Sequence, residues 1–316
     1  MKVTVLDKNT FTTGDIDLSE IDNLGDVSYA DLLPREEVIK ACYDSQIVIC
    51  NKTLFDGETI NSLPNLKYIG LTATGYNNVD LKVASERGIT VTNVPGYSTV
   101  DVAQHVFAFI LNYANRISEY DETVKDGEWI KSKTFCYFYR PLTELSGKTL
   151  GIFGYGDIGK QVAKIADAFG MKVIVHTRTT PKNCPYTLVD KQTLFKESDF
   201  LTLHCPLNEQ TKGLISSETL SLMKKSAVLI NTSRGPIIDE NALAVALNNG
   251  DIAHACLDVL QVEPMSSDCP LLNAKNVTIT PHIAWAPVES RQRLMGVVAS
   301  NVQAFLKGKP VNVVNK

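Results

Sequence analysis

Three side chains at well-separated positions could together move a proton and hold an anion: Arg234 in Asn231-Thr232-Ser233-Arg234-Gly235, Glu263 in Glu263-Pro264 and His282 in Pro281-His282. Imidazole changes charge near neutral pH, so His282 suits a base that takes a hydroxyl proton in one direction and returns it in the other. A guanidinium stays protonated and presents a planar fork of donors. Arg234 therefore suits a clamp for a carboxylate that also polarises the C2 oxygen as negative charge grows there. Upstream, Gly154-Tyr155-Gly156-Asp157-Ile158-Gly159 fits the pattern that seats a dinucleotide pyrophosphate. The set suits reversible hydride transfer to a 2-oxo acid, a reaction that needs no metal.

The elements around the glycines decide whether that motif means anything, because G-x-G-x-x-G also arises by chance. Thr149 to Phe153 reads as a short buried strand running into Gly154, and Val162, Ile165, Ala166 and Phe169 fall at i, i+3, i+4 and i+7 of a helix ending at Gly170. A second apolar run, Val173-Ile174-Val175, follows at once. In such a strand-turn-helix-strand unit the first glycine permits the turn, the second admits the pyrophosphate, and the third lets helix and strand pack. The phosphates meet the N–H groups and positive end of the helix.

Apolar runs alternate with helical segments along the whole chain, the pattern of parallel sheets covered on both faces. Before residue 98 the runs are Val3 to Leu6, Ile47 to Cys50, Tyr68 to Leu71 and Thr90 to Thr92. After residue 148 they are Leu150 to Phe153, Val173 to Val175, Phe200 to His204, Ala227 to Asn231, Ala253 to Asp258 and Val277 to Thr280. Between the sets lie an apolar helix from Ser98 to Asn115, a polar stretch through Glu128 and an aromatic loop, Phe135-Cys136-Tyr137-Phe138-Tyr139. The expected fold is α/β, two Rossmann-like doubly wound parallel-sheet domains. Residues 1–97 plus 287–316 form a discontinuous, flavodoxin-like substrate-binding domain and 98–286 the dinucleotide-binding domain. The helix from Ser98 crosses into the second domain and one near Val288 to Leu306 returns.

Composition fits an enzyme with a sizeable core: 316 residues, 44% hydrophobic and 21% charged, with a net charge of −4. That balance argues against a nucleic-acid binder, and neither a basic amphipathic helix nor a long apolar run suggests a membrane. Without a secretory apolar segment after Met1, the expected location is the cytoplasm. The seven cysteines are odd in number and hold no C-x-x-C, so reduced, mostly buried thiols are expected rather than disulfides or zinc.

Four ordered blocks, Gly154 to Gly159, Asn231 to Gly235, Leu257 to Pro264 and Pro281-His282-Ile283-Ala284-Trp285, resemble the D-isomer-specific 2-hydroxyacid dehydrogenases over essentially the whole chain. Ala73-Thr74-Gly75-Tyr76-Asn77-Asn78-Val79-Asp80, Phe135-Cys136-Tyr137 and Trp285 are similar to the glycerate dehydrogenase/hydroxypyruvate reductase branch. The resemblance implies a hinged homodimer with its active site in an interdomain cleft, and hydroxypyruvate as substrate with glyoxylate second. It gives Glu263 the task of fixing which nitrogen of His282 faces the substrate, and makes Asp258 a nicotinamide or ribose contact, the other reading being a turn carboxylate. The lack of a basic cluster near the carboxylate loop points to a small acid without a phosphate.

Several positions keep two readings. Ala73-Thr74-Gly75 grips a carboxylate through free N–H groups or is a plain turn. Trp285 roofs the substrate or fills a hinge core. Cys205-Pro206 lines the adenine side by backbone contact, and Cys205 has no partner base that would make it a nucleophile. His105, His176, His204 and His254 read as packing or turn residues. Thr99, Thr232 and Ser233 complete the expected cofactor contacts. For the coenzyme, the acid that commonly ends the second strand and binds the ribose hydroxyls is missing: Val175 is followed by His176-Thr177-Arg178-Thr179. Thr177, Arg178 and Thr179 can all donate to a 2′-phosphate, so NAD(P) is expected with NADPH favoured. The rival functions are a dinucleotide-sensing corepressor-like protein, a nucleoside hydrolase with transiently used NAD, and, among dehydrogenases, phosphoglycerate or D-lactate types.

Overall fold

Strand formation follows the apolar runs. A computed structural model describes residues 1–315, so Lys316, the end of the expected first domain, lies outside the described residues. Five strands, β1 (Lys2–Val5), β2 (Asp26–Tyr29), β3 (Ile47–Cys50), β4 (Tyr68–Leu71) and β5 (Thr90–Thr92), form a parallel sheet in the order β2-β1-β3-β4-β5. Seven more, β6 (Thr149–Phe153), β7 (Lys172–His176), β8 (Thr187–Leu188), β9 (Phe200–Leu203), β10 (Val228–Asn231), β11 (His254–Leu257) and β12 (Val277–Ile279), form a second parallel sheet in the order β12-β11-β10-β9-β6-β7-β8.

Both sheets are doubly wound because both faces are apolar. In the first, Val3, Val5, Ile47 and Ile49 pack with Leu294, Met295, Val298 and Val302 of the helix Val288–Leu306, while Val48, Cys50, Ile69 and Val91 face an opposite cluster with Val38 and Ile60. In the second, Leu229 and Leu257 join Leu243 and Leu247 on one face. Val228, Ile230 and Ile152 join Val106 and Ile110 of the helix Thr99–Asn115 on the other. Burying a Leu or Ile side chain contributes about 1.5–3 kcal/mol, so a polar residue on either face would cost heavily.

The chain divides into two compact units. The first takes Met1–Ser98 and the chain from Trp285 onward; the second is Thr99–Ala284. The second boundary falls two residues earlier than expected, because Trp285 packs beside the first unit's core, edge-on to Tyr97 with ring centroids 6.4 Å apart.

Some expectations need correction. β2 and β8 were not expected as strands: Asp26-Val27-Ser28-Tyr29 is half exposed and Thr187-Leu188 is exposed, so neither shows an apolar run, and each is held only by its inner neighbour. The polar stretch after Asn115 is helical over Ile117–Lys125 and Glu128–Lys131. In the helix Asp157–Ala168 the buried stripe is Gly159, Val162, Ala163 and Ala166. Phe169 lies beyond the helix end, 38% exposed, and stacks on Phe107.

Candidate active site

In the second unit the loops after β6, β7, β9, β10 and β11 leave the C-terminal edge of one parallel sheet, the edge at which such sheets bind ligands. The turn after β6 is shaped by its glycines. Gly154 has φ +100°, and a Cβ there would come within 2.7 Å of the carbonyl of His204; a Cβ on Gly159 would run into the Gly154 carbonyl. Gly156 has open space above it and begins the helix Asp157–Ala168 without a side-chain cap, so no side chain takes the first-turn N–H groups. Tyr155, Asp157 and Ile158 lie in that same turn. Nearby in the fold, the Thr232 hydroxyl is buried and has no partner among the described residues. An uncapped 12-residue helix beneath an open glycine, with an unsatisfied buried hydroxyl on the loop after β10 at the same edge of the sheet, fits a dinucleotide.

The catalytic candidates sit on loops cross-tied by polar side chains. His282 Nδ1 lies 2.7 Å from Glu263 Oε2, while Glu263 Oε1 accepts from the Leu260 N–H at 3.1 Å. Glu263 therefore orients the ring and leaves Nε2 without a hydrogen-bond partner among the described residues. His282 adopts φ +56°, a left-handed conformation uncommon for residues with a Cβ and maintained only where the surroundings enforce it. Asp258 provides the enforcement. Its carboxylate, 1% exposed, accepts from Thr280 Oγ1 at 2.5 Å, Ile283 N at 2.9 Å and Ala284 N at 2.8 Å, gripping the turn on both sides of His282. Both its oxygens thus hold the turn that carries His282. His105 completes the support: Nε2 lies 3.1 Å from Thr280 Oγ1, and burial lowers its pKa despite the nearby Asp258 charge.

Arg234 is exposed. It donates to the Ser233 carbonyl at 2.6 Å and has no carboxylate partner among the described residues. Asn231, fully buried, accepts from Ser233 N and Oγ at 3.0 and 2.8 Å and donates to the Arg234 carbonyl at 3.0 Å, closing the loop. Gly235 joins this loop to the one carrying Glu263, since a Cβ there would coincide with the Leu260 carbonyl group. Buried Glu240 accepts from Gln261 N at 2.6 Å, and Gln261 Nε2 donates to the Ile238 carbonyl at 2.6 Å. The sequence reading missed Asn231, Glu240, Gln261 and His105 as positioning residues. Only the polar character of Asn231 and Glu240 inside apolar surroundings hinted at them.

The remaining candidates separate clearly. Cys205 and Pro206 follow β9, and burial pushes the Cys205 thiol up to about 11, the wrong direction for a nucleophile. Burial likewise brings His204 down to about 3 and His254 to about 4, leaving both neutral and hydrogen-bonded to Thr202 and Thr278. After β7, Thr177 borders a cavity of about 190 Å³ lined also by Val175, His176, Thr180, Leu188 and Val189. Arg178 and Thr179 beside it are exposed, and Arg178 has no ion-pair partner among the described residues. Asp190 caps the helix Lys191–Glu197 through Thr193 N, a bond that holds its carboxyl below the usual range. Thr99 opens the helix Thr99–Asn115. In the first unit, Ala73-Thr74-Gly75 follows β4, and Trp285 is half-buried against that unit's core.

A doubly wound sheet with a glycine turn, a carboxylate-oriented histidine and an unpaired arginine define an NAD(P)-dependent dehydrogenase acting on a small acid. Comparisons with known proteins agree. Residues 107–284 match the profile of the D-isomer specific 2-hydroxyacid dehydrogenase NAD binding domain. The hydroxypyruvate reductase of Blautia hydrogenotrophica is 43% identical over 324 aligned positions, covering 100% of each chain. Among solved structures, the TT0316 protein from Thermus thermophilus is 37% identical with a TM-score of 0.90, covering 99% of this chain and 100% of that one. An NADPH-dependent glyoxylate/hydroxypyruvate reductase from Sinorhizobium meliloti, solved with NADP and malonate, is 29% identical with a TM-score of 0.85, covering 99% and 96%. The chain belongs to the D-isomer specific 2-hydroxyacid dehydrogenases.

Proposed function

We propose that the protein reduces hydroxypyruvate, and glyoxylate less efficiently, to the D-2-hydroxy acid, with NADPH preferred over NADH. The observation that carries the reading is the 2.7 Å bond between His282 Nδ1 and Glu263, which turns Nε2 outward on a chain segment that Asp258 holds rigid. When bound, the nicotinamide supplies or accepts the hydride. His282 gives its Nε2 proton to the C2 oxygen during reduction and takes it back during oxidation, with Glu263 holding the ring in register. Arg234 pairs with the substrate carboxylate and the C2 oxygen, a role its unpaired guanidinium supports. In the first unit, the free backbone N–H groups of the 73–75 turn are suited to an acid's carboxylate, and Trp285 is that unit's aromatic candidate for a substrate contact. The glycine turn, Thr232, Ser233 and the Cys205-Pro206 backbone hold the dinucleotide.

Hydroxypyruvate is favoured by the full-length likeness to a hydroxypyruvate reductase and by the small, unphosphorylated acid read from the sequence. The test is a panel of hydroxypyruvate, glyoxylate, pyruvate and 3-phosphohydroxypyruvate compared by kcat/KM. Hydroxypyruvate should lead; preference for the phosphorylated acid would overturn the assignment. Tight coenzyme binding with negligible turnover of all four would restore the dinucleotide-sensing alternative.

The coenzyme preference rests on Thr177 standing where a ribose-binding acid is common and on the exposed, unpaired Arg178 next to it. Removing one charge-assisted contact to a 2′-phosphate corresponds to about a tenfold effect, so Arg178→Ala should lower kcat/KM for NADPH by about that factor while sparing NADH. Thr177→Asp should reverse the preference by repulsion. Wild-type preference for NADH would refute the phosphate clamp and leave the dehydrogenase reading intact.

A homodimer is supported by the exposed apolar side chains of one segment of the second unit, Ile130, Phe135 and Phe138 at 88%, 88% and 84%, with Trp129 tied to it by a bond to the Phe135 carbonyl. Light scattering should give twice the monomer mass for wild type and the monomer mass for Phe135→Ser/Phe138→Ser. A monomeric wild type would sink this part of the proposal.

A further inference from the structure

The first unit contains a buried carboxylate with no part in the chemistry so far. Asp7 follows β1, is 0% exposed and adopts a left-handed φ of +61°. Its Oδ2 accepts from three consecutive backbone N–H groups, Asn51 at 2.9 Å, Lys52 at 2.7 Å and Thr53 at 2.8 Å, and its Oδ1 accepts from Thr53 Oγ1 at 2.5 Å. Convergent N–H groups of this kind form an anion nest, and in a sheet ordered 2-1-3-4-5 the crevice between the first and third strands is where a ligand commonly lies. Here the chain fills that crevice with its own carboxylate. Burying a carboxyl group is costly unless its oxygens are hydrogen-bonded, and all four of these bonds go to residues 51–53, which Asp7 therefore holds in place.

What that geometry supports lies next along the sheet. The carbonyls of the same nest, Asn51 and Thr53, accept from Asn78 Nδ2 at 3.2 and 2.9 Å, and the Asn78 carbonyl accepts from Phe55 N at 2.7 Å. Asn78 is in the loop that begins at Ala73. The other side of that loop is clamped after β5: Val94 N donates to the Ala73 carbonyl at 2.9 Å, Asn93 Nδ2 to the Thr74 carbonyl at 2.7 Å, and Thr74 Oγ1 to the Val94 carbonyl at 2.9 Å. All of these bonds use carbonyls and side chains of the turn. The backbone N–H groups of Thr74 and Gly75 have no acceptor among the described residues. A loop fixed from both sides with its donors left free is preorganised for an anion.

We infer that Asp7 and Asn78 are positioning residues for the substrate: the Asp7 carboxylate fixes residues 51–53, and Asn78 carries that constraint to the N–H groups of the 73–75 turn. The inference rests on the reading that this turn holds the substrate carboxylate. The two residues touch no reacting atom, so their loss should appear in KM and not in the chemical step.

The test measures steady-state constants for hydroxypyruvate, coenzyme affinity by nicotinamide fluorescence and thermal melting for three variants. Asn78→Ala removes the tie while leaving Asp7 in place. Asp7→Asn keeps the shape but replaces the charge that three N–H groups share. Gly75→Pro deletes one free N–H directly. Asn78→Ala and Asp7→Asn should each raise KM by about tenfold or more, with kcat within about threefold of wild type and coenzyme affinity unchanged. Should Asp7→Asn fail to fold, Asn78→Ala alone decides. If Gly75→Pro raises KM and Asn78→Ala does not, the positioning role is overturned while the carboxylate turn stands. If Gly75→Pro leaves KM untouched, the carboxylate reading falls and the inference with it. A parallel loss of kcat, coenzyme affinity and melting temperature would reduce both residues to general scaffolding.

Discussion

Replacing His282 with Gln should lower kcat by about 10²–10⁴-fold with either coenzyme while leaving coenzyme affinity within about twofold of wild type. Glutamine approximates the size of the imidazole and can still hydrogen-bond, but it has no proton to give to the C2 oxygen. The loss therefore measures proton transfer and not packing. The environment of the side chain makes this a clean experiment: Asp258 fixes the turn through Thr280, Ile283 and Ala284, none of which depends on the imidazole, so the variant should keep its backbone and its melting temperature. Backbone strain should be common to both proteins, since the φ of +56° at residue 282 is held by the Asp258 contacts and not by the imidazole. Glu263→Gln makes the complementary change: the amide oxygen can keep the Leu260 N–H while its NH2 donates to Nδ1, so the ring stays in place, but the charge beside it is lost and the pH–rate profile should alter without a comparable fall in coenzyme affinity. Near wild-type turnover in His282→Gln would remove the histidine from the mechanism.

That His282 and Arg234 could be read as a pair, while the residues holding them could not, has a physical reason. A base and a guanidinium announce their chemistry by type, and a glycine turn between an apolar strand and an amphipathic helix announces itself by period. Most strands were legible for the same reason: Val48 and Ile49, or Leu229 and Ile230, are buried on opposite faces, so the whole run is apolar. β2 escaped because an edge strand such as Asp26-Val27-Ser28-Tyr29 needs no apolar run. The supporting residues escaped for a deeper reason. Asp258 holding Ala284, Glu240 holding Gln261 and Asp7 holding Thr53 are contacts across 26, 21 and 46 residues, fixed only when the sheet brings loop ends together. Local propensity cannot reveal such a pair. Asp258 shows the consequence: its place at a strand end is legible, but its bonds to Thr280, Ile283 and Ala284 on both sides of His282 are not.

Arg234 gives the second large effect, and Gly235 shows whether position or charge produces it. Arg234→Lys keeps the positive charge but loses the planar fork that can serve a carboxylate and a C2 oxygen together, so kcat/KM for the 2-oxo acid should fall by about 10²–10³-fold, KM rising from the weaker hold on the carboxylate and kcat falling from the lost contact to the C2 oxygen. Charge alone does not explain so large a loss, because a lysine ammonium would still attract the acid. Gly235→Ala leaves Arg234 chemically intact. Its added Cβ would occupy the Leu260 carbonyl group, so the two loops must separate, and the cost exceeds what a flexible side chain could relieve by moving. That separation disturbs both the Arg234 backbone, which Asn231 holds, and the Leu260 N–H that orients Glu263. Gly235→Ala should therefore lower kcat as severely as Arg234→Lys lowers kcat/KM, and it should also cost melting temperature, which the lysine variant should not. If Gly235→Ala proves active and stable, the contact between the two loops does not organise the site; if Arg234→Lys retains wild-type kcat/KM, the arginine does not bind the substrate through its fork.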